Sequence, residues 1–374
     1  MNKPNKSRAP LDYIPPDIAC AADYEALAQA FIPADTLAYL AGGSGHDITQ
    51  RSNQAAFQHW AMTPRILADL KDANTALQLL GQHFQHPIFM APVAYQSLVH
   101  PQGELDTARA AEATDSCMLT STLSSVTLEQ IAARANPSRW FQLYFQTRPE
   151  DTSALVHRAI AAGYQAIVVT LDAAVQAPGI RAIRAGFKLP DSVKAANLIH
   201  QRPDAPIPRN GQSAIFNHYR QHAPSLQQLQ QLISESPVPV IIKGVMHPDD
   251  ALQLKALGAA GIIVSNHGGR SLDGAPASLS VLPAIRRAVG DDYPLLFDSG
   301  IRSGSDIFKA IALGADAVLI GRLQLYSLSV AGALGVAHMI KLLREELELC
   351  MAMTGCASLA AIRATKLQTT LSGY

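Results

Sequence analysis

The sequence predicts an α/β protein folded as a (β/α)8 barrel, and two observations support this. Short apolar runs recur eight times from residue 87 onward, and amphipathic helical patterns lie between most of them. Eight strands that alternate with helices are typical of a closed parallel barrel with right-handed crossovers. An open, doubly wound sheet is the competing architecture, but eight regularly spaced units favour closure.

Each predicted strand is a short apolar run without polar alternation, as expected of a strand buried on both faces. The predicted strands are Ile88–Ala91, Cys117–Thr120, Trp140–Tyr144, Ala166–Thr170, Val238–Lys243, Gly261–Ser265, Pro294–Asp298 and Ala317–Gly321. Helical spacing lies between them at Thr107–Ala113, Ala154–Ala162, Asp249–Leu257 and Gly304–Leu313.

The chain divides into two predicted parts. Residues 1–75 form an arm and helices packed on the barrel, and residues 76–374 form the barrel with its C-terminal helices. More than sixty residues rich in Pro, Gln and His separate the fourth and fifth predicted strands. A loop of that length in a compact domain is usually a lid or a disordered segment. We expect an active-site lid at about residues 173–225, over the end of the fourth strand.

Composition excludes several classes of protein. The 30 basic residues equal the 30 acidic ones, so the basic excess of a phosphate-contacting nucleic-acid binder is absent. The four cysteines form neither a disulfide framework nor a zinc spacing. The first 20 residues lack the apolar core of a secretory signal, and no apolar run has the length of a membrane span. We therefore expect a cytoplasmic protein.

Polar side chains collect where the predicted strands end. The carboxyl ends of barrel strands meet at one face, where barrel enzymes carry their active sites. A packed barrel core would place apolar residues there instead, so the polar set predicts a functional mouth. The set comprises Ser121, Gln142, Tyr144, Thr170, Asp172, Lys243, Ser265, His267, Asp298 and Arg322.

Two neighbouring strand ends predict a phosphate site. A glycine-punctuated loop from Asp298 to Gly304 opens a helix, so backbone N–H groups face a ligand. Ile320-Gly-Arg322 follows the next strand, and Arg302 and Arg322 supply positive charge. A Rossmann Gly-x-Gly-x-x-Gly fingerprint and a metal-binding motif are both absent from the sequence. A mononucleotide, FMN above all, fits these observations, with Lys243 near the charge that develops on the ring.

Four motifs together resemble the FMN-dependent α-hydroxy-acid oxidases, the family of glycolate oxidase, lactate oxidase and mandelate dehydrogenase. The motifs are Ser265-Asn-His-Gly-Gly-Arg270, Lys243-Gly-Val, Asp298-Ser-Gly-Ile-Arg302 and Ile320-Gly-Arg322. The resemblance runs from about Tyr24 to about Leu359, nearly the whole chain. The segment Tyr39-Leu-Ala-Gly-Gly-Ser-Gly is more similar to the lactate-oxidase branch of this family.

The resemblance implies a role for each matching residue. His267 matches the catalytic base and Asp172 the carboxylate that orients it. Arg270 and Tyr39 match substrate-carboxylate ligands, Tyr144 a phenol near the substrate hydroxyl, and Lys243 the cation at the flavin N1 and O2 edge. The implied ring and ribityl contacts are Pro92, Val93, Ala94, Ser121, Gln142, Thr170 and Ser265. The implied ribityl and phosphate ligands are Asp298, Gly300, Arg302, Gly321 and Arg322.

The chain departs from the family pattern at the substrate end. The family usually places a second carboxylate-binding arginine seven residues after the strand-four aspartate, where this chain has Gly179. Arg181 lies two residues on and is the candidate replacement. Ser303 replaces a second arginine often found after Arg302, and Leu123 occupies a pocket position that is aromatic in some relatives.

The resemblance predicts oxidation of a lactate-like (S)-2-hydroxy acid to the 2-keto acid, with oxygen as acceptor and hydrogen peroxide as product. Ala94 favours oxygen, because several dehydrogenases have glycine there. Three alternatives stay open: a dehydrogenase with a quinone or protein acceptor, an oxidase for an atypical hydroxy compound, and a catalytically inert flavin-binding scaffold. Relatives also imply a homotetramer.

Overall fold

A closed barrel of eight parallel strands forms the centre of the molecule. The computed structural model describes residues 7–134, 138–198, 211, 213–217 and 223–370. The barrel strands pair in chain order, with the last strand beside the first, which confirms the predicted (β/α)8 fold. They are β1 (Ile88–Met90), β2 (Met118–Ser121), β3 (Arg139–Leu143), β4 (Ile167–Thr170), β5 (Val240–Val245), β6 (Gly261–Val264), β7 (Leu295–Asp298) and β8 (Ala317–Ile320).

Each barrel strand begins and ends within two residues of its predicted position. Several end one residue early, because the chain leaves the ladder at Ala91, Tyr144, Ser265 and Gly321 to form the loops of the barrel mouth. The central residues of β6, Ile262 and Ile263, are completely buried. Burial on both faces explains why the apolar runs in the sequence do not alternate.

Helices surround the barrel and cover its edges. Before the barrel lie α1 (Asp23–Leu27), α2 (Ala34–Ala41) and α3 (Ile48–Ala55). Within the barrel repeats lie α4 (Glu104–Ala113), α5 (Leu128–Ala132), α6 (Pro149–Ala161), α7 (Ile180–Arg184), α8 (Ala214–Asn217), α9 (Leu226–Glu235), α10 (Pro248–Ala256), α11 (Ser278–Val289) and α12 (Gly304–Ala312). The last helices are α13 (Arg322–Thr354) and α14 (Leu359–Arg363).

The segment before β1 contributes to the core of the barrel. A short antiparallel hairpin, Leu77–Leu79 with Gln82–Phe84, precedes β1. The Phe84 ring lies 4.7 Å from Phe89 of β1 and 6.3 Å from Trp140 near the start of β3, so the hairpin covers the amino-terminal end of the barrel. Phe57, from the N-terminal part, packs edge-on against Phe297 of β7. The predicted boundary between residues 75 and 76 stays a prediction.

The sequence predicts no segment with the length of a membrane span, and helix α13 corrects this expectation. By length and composition alone it is apolar enough to cross a membrane, but 78% of its apolar window is buried inside the protein. The helix also bends at Ala331 and Gly332, whose backbone angles are not helical. The Asp106 carboxylate accepts a hydrogen bond from the Ala333 N–H, which caps the second half of the helix. The apolar residues of α13 therefore belong to the packed core.

A buried histidine below the barrel makes stability depend on pH. His86 is 1% exposed, its Nδ1 accepts a hydrogen bond from the Ile88 N–H, and its Nε2 donates to the Thr114 carbonyl. Burial lowers the pKa of His86, so the unfolded chain binds a proton more readily than the folded protein. The stabilising contribution is full above about pH 6.5, the usual histidine pKa, and is lost as pH falls below it.

We expect the parent to lose more of its free energy of unfolding than a His86→Gln variant when pH falls from about 8 to about 5. At the higher pH the variant should be the less stable protein, by about 1–2 kcal/mol, because two buried hydrogen bonds are disturbed. Denaturant titrations at several pH values measure both quantities. Parallel losses in the two proteins would show that His86 does not carry this pH dependence.

Candidate active site

The strand ends converge on one cavity at the carboxyl face of the barrel, as the sequence predicts. Loops after seven strands and the end of α2 line it. Of the predicted site residues, the cavity is lined by Tyr39, Pro92, Val93, Ala94, Ser121, Tyr144, Lys243, His267, Arg270, Asp298, Gly300, Arg302, Gly321 and Arg322. Gln142, Thr170, Asp172 and Ser265 lie at the strand ends behind this lining.

His267 and Asp172 form a hydrogen-bonded pair at the rim. Nδ1 of His267 lies 2.9 Å from Oδ1 of Asp172. Because a carboxylate only accepts, Nδ1 is the protonated ring nitrogen, and Nε2 of the neutral ring keeps a lone pair. His267 itself has a left-handed backbone, with φ of 59°, and its N–H donates to Ser265 Oγ at 3.0 Å. The backbone turn after β6 thus directs the imidazole into the cavity.

Asp172 is seated against a bulge in the neighbouring strand. The ladder between β5 and β6 shifts register between Lys243 and Val245, and the intervening Gly244 has φ of 101°. A Cβ on Gly244 would lie 2.6 Å from Cγ of Asp172, so only glycine leaves room for this carboxylate. Burial alone would raise the pKa of Asp172, but His267 and Lys243 outweigh it and lower the pKa. Asp172 is therefore ionised at neutral pH.

Lys243 is a buried cation held by an anionic network. Its Nζ lies 3.0 Å from both Ser265 Oγ and Asp298 Oδ2, and Ser265 Oγ donates to the same Asp298 oxygen at 2.6 Å. Burial would lower the pKa of Lys243, but Asp298 and Asp172 raise it overall. The ammonium group thus stays charged at the cavity wall, where it can stabilise negative charge on a bound group.

Arg270 and Tyr39 form a cation–aromatic unit beside His267. Nη1 of Arg270 donates to the carbonyls of Tyr39 and Gly42, at 2.8 and 3.2 Å, and its guanidinium carbon lies 4.8 Å from the Tyr39 ring centre. Within the described chain, its other guanidinium nitrogens have no hydrogen-bond partner. A guanidinium fixed on one side and open on the other suits the carboxylate of a ligand.

The structure does not bring Arg181 into the cavity. Its Nη2 pairs with Asp47 Oδ2 at 2.6 Å, in the loop after α2. Gly179, where the family pattern has arginine, pairs in a parallel bridge with Gly45 of the same loop. The physical reason is that Asp47, far away in sequence, provides a nearby partly buried anion for the guanidinium. Arg181 therefore anchors the segment after β4.

That segment is the described part of the predicted lid. Beyond the Arg181 ion pair, the Phe187 ring stacks on Tyr39 with centres 4.3 Å apart, and the Ala177 N–H donates to the Ser271 carbonyl at 3.2 Å. Further on, Asn197 is buried and accepts a hydrogen bond from the Leu128 N–H at 2.9 Å. The described segment is thus held against Tyr39, Ser271 and Leu128, and its Gln176 lines the cavity. The lid residues 199–210, 212 and 218–222 lie outside the described residues.

Arg322 adds further buried positive charge to the cavity, and it shares the Gly42 carbonyl with Arg270. Arg322 donates to the carbonyls of Leu40, Gly268 and Gly42, at 2.8 to 2.9 Å. Among the described residues, no carboxylate forms an ion pair with it. Burial first, and then Arg270, lower the pKa of Arg322 to about 10, which still leaves it charged at neutral pH. A buried cation without an anionic partner is costly, so the part of the cavity beside Arg322 is suited to an anion.

Arg302 also lines the cavity, and it has a protein partner. Its Nε donates to Glu25 Oε2 of α1 at 2.7 Å, and its Nη1 donates to the Ile301 carbonyl at 3.0 Å. Beside it, Gly300 has φ of 95°, and a Cβ there would clash with the Asn53 carbonyl oxygen. The loop therefore needs glycine, as the sequence motif indicates.

Two buried polar atoms at the strand ends behind the cavity lining have no protein partner among the described residues. They are Nε2 of Gln142 and Oγ1 of Thr170, at the ends of β3 and β4. The other amide atom, Oε1 of Gln142, accepts from Ser121 Oγ at 3.2 Å, so the amide orientation is fixed. Buried polar groups are normally hydrogen-bonded. An unpaired donor and a hydroxyl group fit a ligand edge with carbonyl and N–H groups, such as the pyrimidine part of a flavin.

Sequence reasoning missed several residues at the site, including three with polar side chains. Tyr95 and Gln176 line the cavity, and Glu25 pairs with Arg302. Tyr95 directly follows the predicted contacts Pro92 to Ala94, and this position was the one signal in the sequence that could have placed it at the site. The contact of Glu25 joins α1 to the loop after β7, and no local pattern predicts such a pairing.

Comparisons with known proteins identify the family. A family model described as FMN-dependent dehydrogenase matches residues 28–369. The chain is 56% identical to an L-lactate oxidase of Alicycliphilus denitrificans, over 95% of this chain and 97% of that protein. It is 41% identical to a 4-hydroxymandelate oxidase of Amycolatopsis orientalis, over 91% of this chain and 96% of that protein. A crystal structure of mandelate oxidase matches with a TM-score of 0.86 at 39% identity, covering 94% of this chain and 98% of that one.

The chain belongs to the FMN-dependent dehydrogenase family. The predicted resemblance to the FMN-dependent hydroxy-acid oxidases is thereby confirmed, and FMN is the cofactor of this enzyme. The residues present fit FMN. Arg322 offers uncompensated positive charge for a phosphate, the Gln142 and Thr170 atoms lack partners, and Lys243 provides a buried cation.

Loss of Arg302 should weaken FMN binding. We expect Arg302→Ala to raise the Kd of FMN by about 10- to 100-fold. This change corresponds to the loss of about 1.5–3 kcal/mol, the usual contribution of a charge-assisted hydrogen bond. Fluorescence titration of the apoprotein with FMN measures this directly. Arg344→Ala is the matched control, because Arg344 pairs with Glu348 on α13, away from the cavity. An unchanged Kd in Arg302→Ala would place the phosphate elsewhere.

Proposed function

We propose that this FMN enzyme oxidises a small, lactate-like (S)-2-hydroxy acid to the 2-keto acid and reduces oxygen to hydrogen peroxide. The observation that carries the proposal is the His267–Asp172 pair, which faces the same cavity as the partly open guanidinium of Arg270. A base beside a carboxylate-binding cation is what a 2-hydroxy acid requires. The 56% identity to a protein named L-lactate oxidase supports the choice of substrate and acceptor.

Arg270 and Tyr39 hold the substrate carboxylate. Arg270 offers charged N–H donors from a fixed position, since two backbone carbonyls and the Tyr39 ring already orient it. The Tyr144 phenol lines the same space. Burial raises the pKa of Tyr144 far above neutrality, so it stays a neutral hydroxyl that can donate to the substrate oxygen.

His267 removes the proton of the substrate hydroxyl. Its Nε2 carries the lone pair, because Nδ1–H is engaged by Asp172. As the proton arrives, the ionised Asp172 stabilises the imidazolium ion. FMN, when bound, would supply the redox chemistry that takes a hydride from the α-carbon and delivers two electrons to oxygen. Lys243, fixed by Asp298 and Ser265, holds positive charge at the cavity wall during this step.

Oxygen uptake with a panel of hydroxy acids tests the proposal. We expect the holoenzyme to consume one oxygen molecule and form one peroxide for each (S)-lactate oxidised, with no added acceptor, and to be inactive on (R)-lactate. Oxidation that requires a quinone or dye acceptor would overturn the assignment of oxygen and favour the dehydrogenase alternative. Inactivity with every hydroxy acid would favour an inert flavin-binding scaffold.

Aryl 2-hydroxy acids are the second candidate substrates. The similarity to proteins named 4-hydroxymandelate oxidase and mandelate oxidase, at 41% and 39% identity, favours their inclusion in the panel. A kcat/KM for (S)-mandelate above that for (S)-lactate would make this candidate the better description. Because Arg181 pairs with Asp47 and does not line the cavity, it is not available to bind a second acidic group on a substrate.

The protein is further proposed to be a cytoplasmic homo-oligomer, a tetramer by analogy with its family. Ile66 and Leu67 support association, because they are 87% and 99% exposed in the single chain. The Arg65 N–H donates to the Met353 carbonyl, so this loop lies beside the exposed Met353 of α13 and forms one apolar patch. Light scattering of the parent and a Leu67→Asp variant tests whether this patch holds subunits together.

A further inference from the structure

Tyr95 lines the substrate end of the cavity in an unfavourable backbone conformation. Its φ and ψ are 55° and 46°, the left-handed region, which bulky side chains seldom adopt. The Tyr95 N–H donates to the Leu123 carbonyl at 3.1 Å, and its own carbonyl accepts from the Leu98 N–H at 3.0 Å. These hydrogen bonds hold the strained turn in place. A strained residue that faces an active site is a reason to look for a function.

Tyr95 lies close to the groups proposed to bind the substrate. It interacts electrostatically with Tyr39, and both phenols contribute to the raised pKa of Tyr144. In the described chain the hydroxyls of all three tyrosines lack hydrogen-bond partners. Arg270, Tyr39 and Tyr144 already supply enough donors for the carboxylate and the hydroxyl of a 2-hydroxy acid. The Tyr95 ring is therefore left to face the remaining part of the substrate, the group carried by its α-carbon.

We infer that Tyr95 is a specificity-determining residue whose ring limits the size of the substituent on the substrate α-carbon. The inference rests on the proposed function, since it concerns the same site. Leu123, joined to Tyr95 through the backbone hydrogen bond, lines the same wall with an apolar side chain. In this arrangement the ring and the leucine would favour a methyl group over long or aryl substituents.

The strained turn explains why the ring stays in position. The backbone of Tyr95 is fixed at both its N–H and its carbonyl, so a small change of the loop cannot move the ring aside. A glycine would relieve the left-handed strain and remove the ring at the same time. A tyrosine at such a position is retained at a cost to stability, which its contact with the substrate would explain.

A comparison of Tyr95→Gly with Tyr95→Phe tests the inference. The readout is the ratio of kcat/KM for (S)-2-hydroxyoctanoate, and separately for (S)-mandelate, to that for (S)-lactate. We expect Tyr95→Gly to raise both ratios by about tenfold or more, the range in which pocket size discriminates between substrates. Tyr95→Phe keeps the ring and should keep the ratios of the parent. Unchanged ratios in Tyr95→Gly, or an equal rise in Tyr95→Phe, would overturn the assignment to the ring.

Two controls keep the outcome interpretable. Tyr95→Ala also removes the ring but keeps a Cβ, so it should show the same rise if the glycine variant does not retain FMN. The retained flavin absorbance of each purified variant shows that the cofactor site is formed. If the parent oxidises no hydroxy acid, the proposed function fails. If the parent oxidises lactate while the ratios do not respond to ring removal, only the role of Tyr95 fails.

Discussion

A His267→Ala variant should be purified yellow, with bound FMN, and should reduce that flavin about 10²- to 10⁴-fold more slowly than the parent when mixed with substrate in the absence of oxygen. The reason is that His267 is the base that Asp172 orients at 2.9 Å, while the Arg322 and Arg302 hydrogen bonds do not involve the imidazole and remain intact. Anaerobic stopped-flow absorbance measures the rate, and the retained flavin is measured in the same sample.

His83→Ala is the matched control for this variant. His83 is an exposed histidine of the hairpin at the amino-terminal end of the barrel, away from the cavity. We expect flavin reduction in His83→Ala at the parent rate. Reduction at the parent rate in His267→Ala as well would show that another group removes the hydroxyl proton. Loss of FMN from His267→Ala would show that the residue supports the cofactor site.

An Arg270→Ala variant should lose about 10- to 100-fold in kcat/KM, the equivalent of about 1.5–3 kcal/mol for a charge-assisted hydrogen bond. Most of the loss should appear in KM, because Arg270 holds the carboxylate both in the bound substrate and in the transition state. Steady-state oxygen uptake over a range of (S)-lactate concentrations separates KM from kcat.

Arg270→Lys distinguishes charge from geometry at this position. Lysine keeps the positive charge but cannot reproduce the planar guanidinium that bonds to the carbonyls of Tyr39 and Gly42. We expect an intermediate loss of kcat/KM. A parent-like KM in Arg270→Ala would mean that another group binds the carboxylate, and Gln176 of the lid would then be the first to examine, since it lines the same cavity.

The barrel was predictable because a parallel strand that is buried on both faces consists of a continuous apolar run, which is visible in the local sequence. Each apolar run lies within two residues of an observed strand, and the polar residues that follow the runs meet at one face. His267 and Asp172 were found in this way, since each follows the end of a strand, and Lys243 was found at the predicted end of β5, which continues to Val245. Barrel topology then brings together residues that are far apart in the chain.

The contacts that were not predicted depend on partners distant in sequence. Arg181 was expected near the substrate, but Asp47 binds its guanidinium in the loop after α2. Tyr95 has a left-handed backbone because the Leu123 carbonyl holds its N–H, and a tyrosine in the sequence gives no sign of that conformation. The pairing of Glu25 with Arg302 likewise joins two elements that only the folded chain places side by side.

Anaerobic reduction followed by admission of air tests the central claim most directly, namely that FMN shares this cavity with a substrate whose hydroxyl His267 deprotonates. The purified holoenzyme should lose its oxidised-flavin absorbance when (S)-lactate is added without oxygen, and should regain it with formation of peroxide when air enters. A protein that holds FMN but whose flavin absorbance is unchanged by every 2-hydroxy acid supplied would contradict the account.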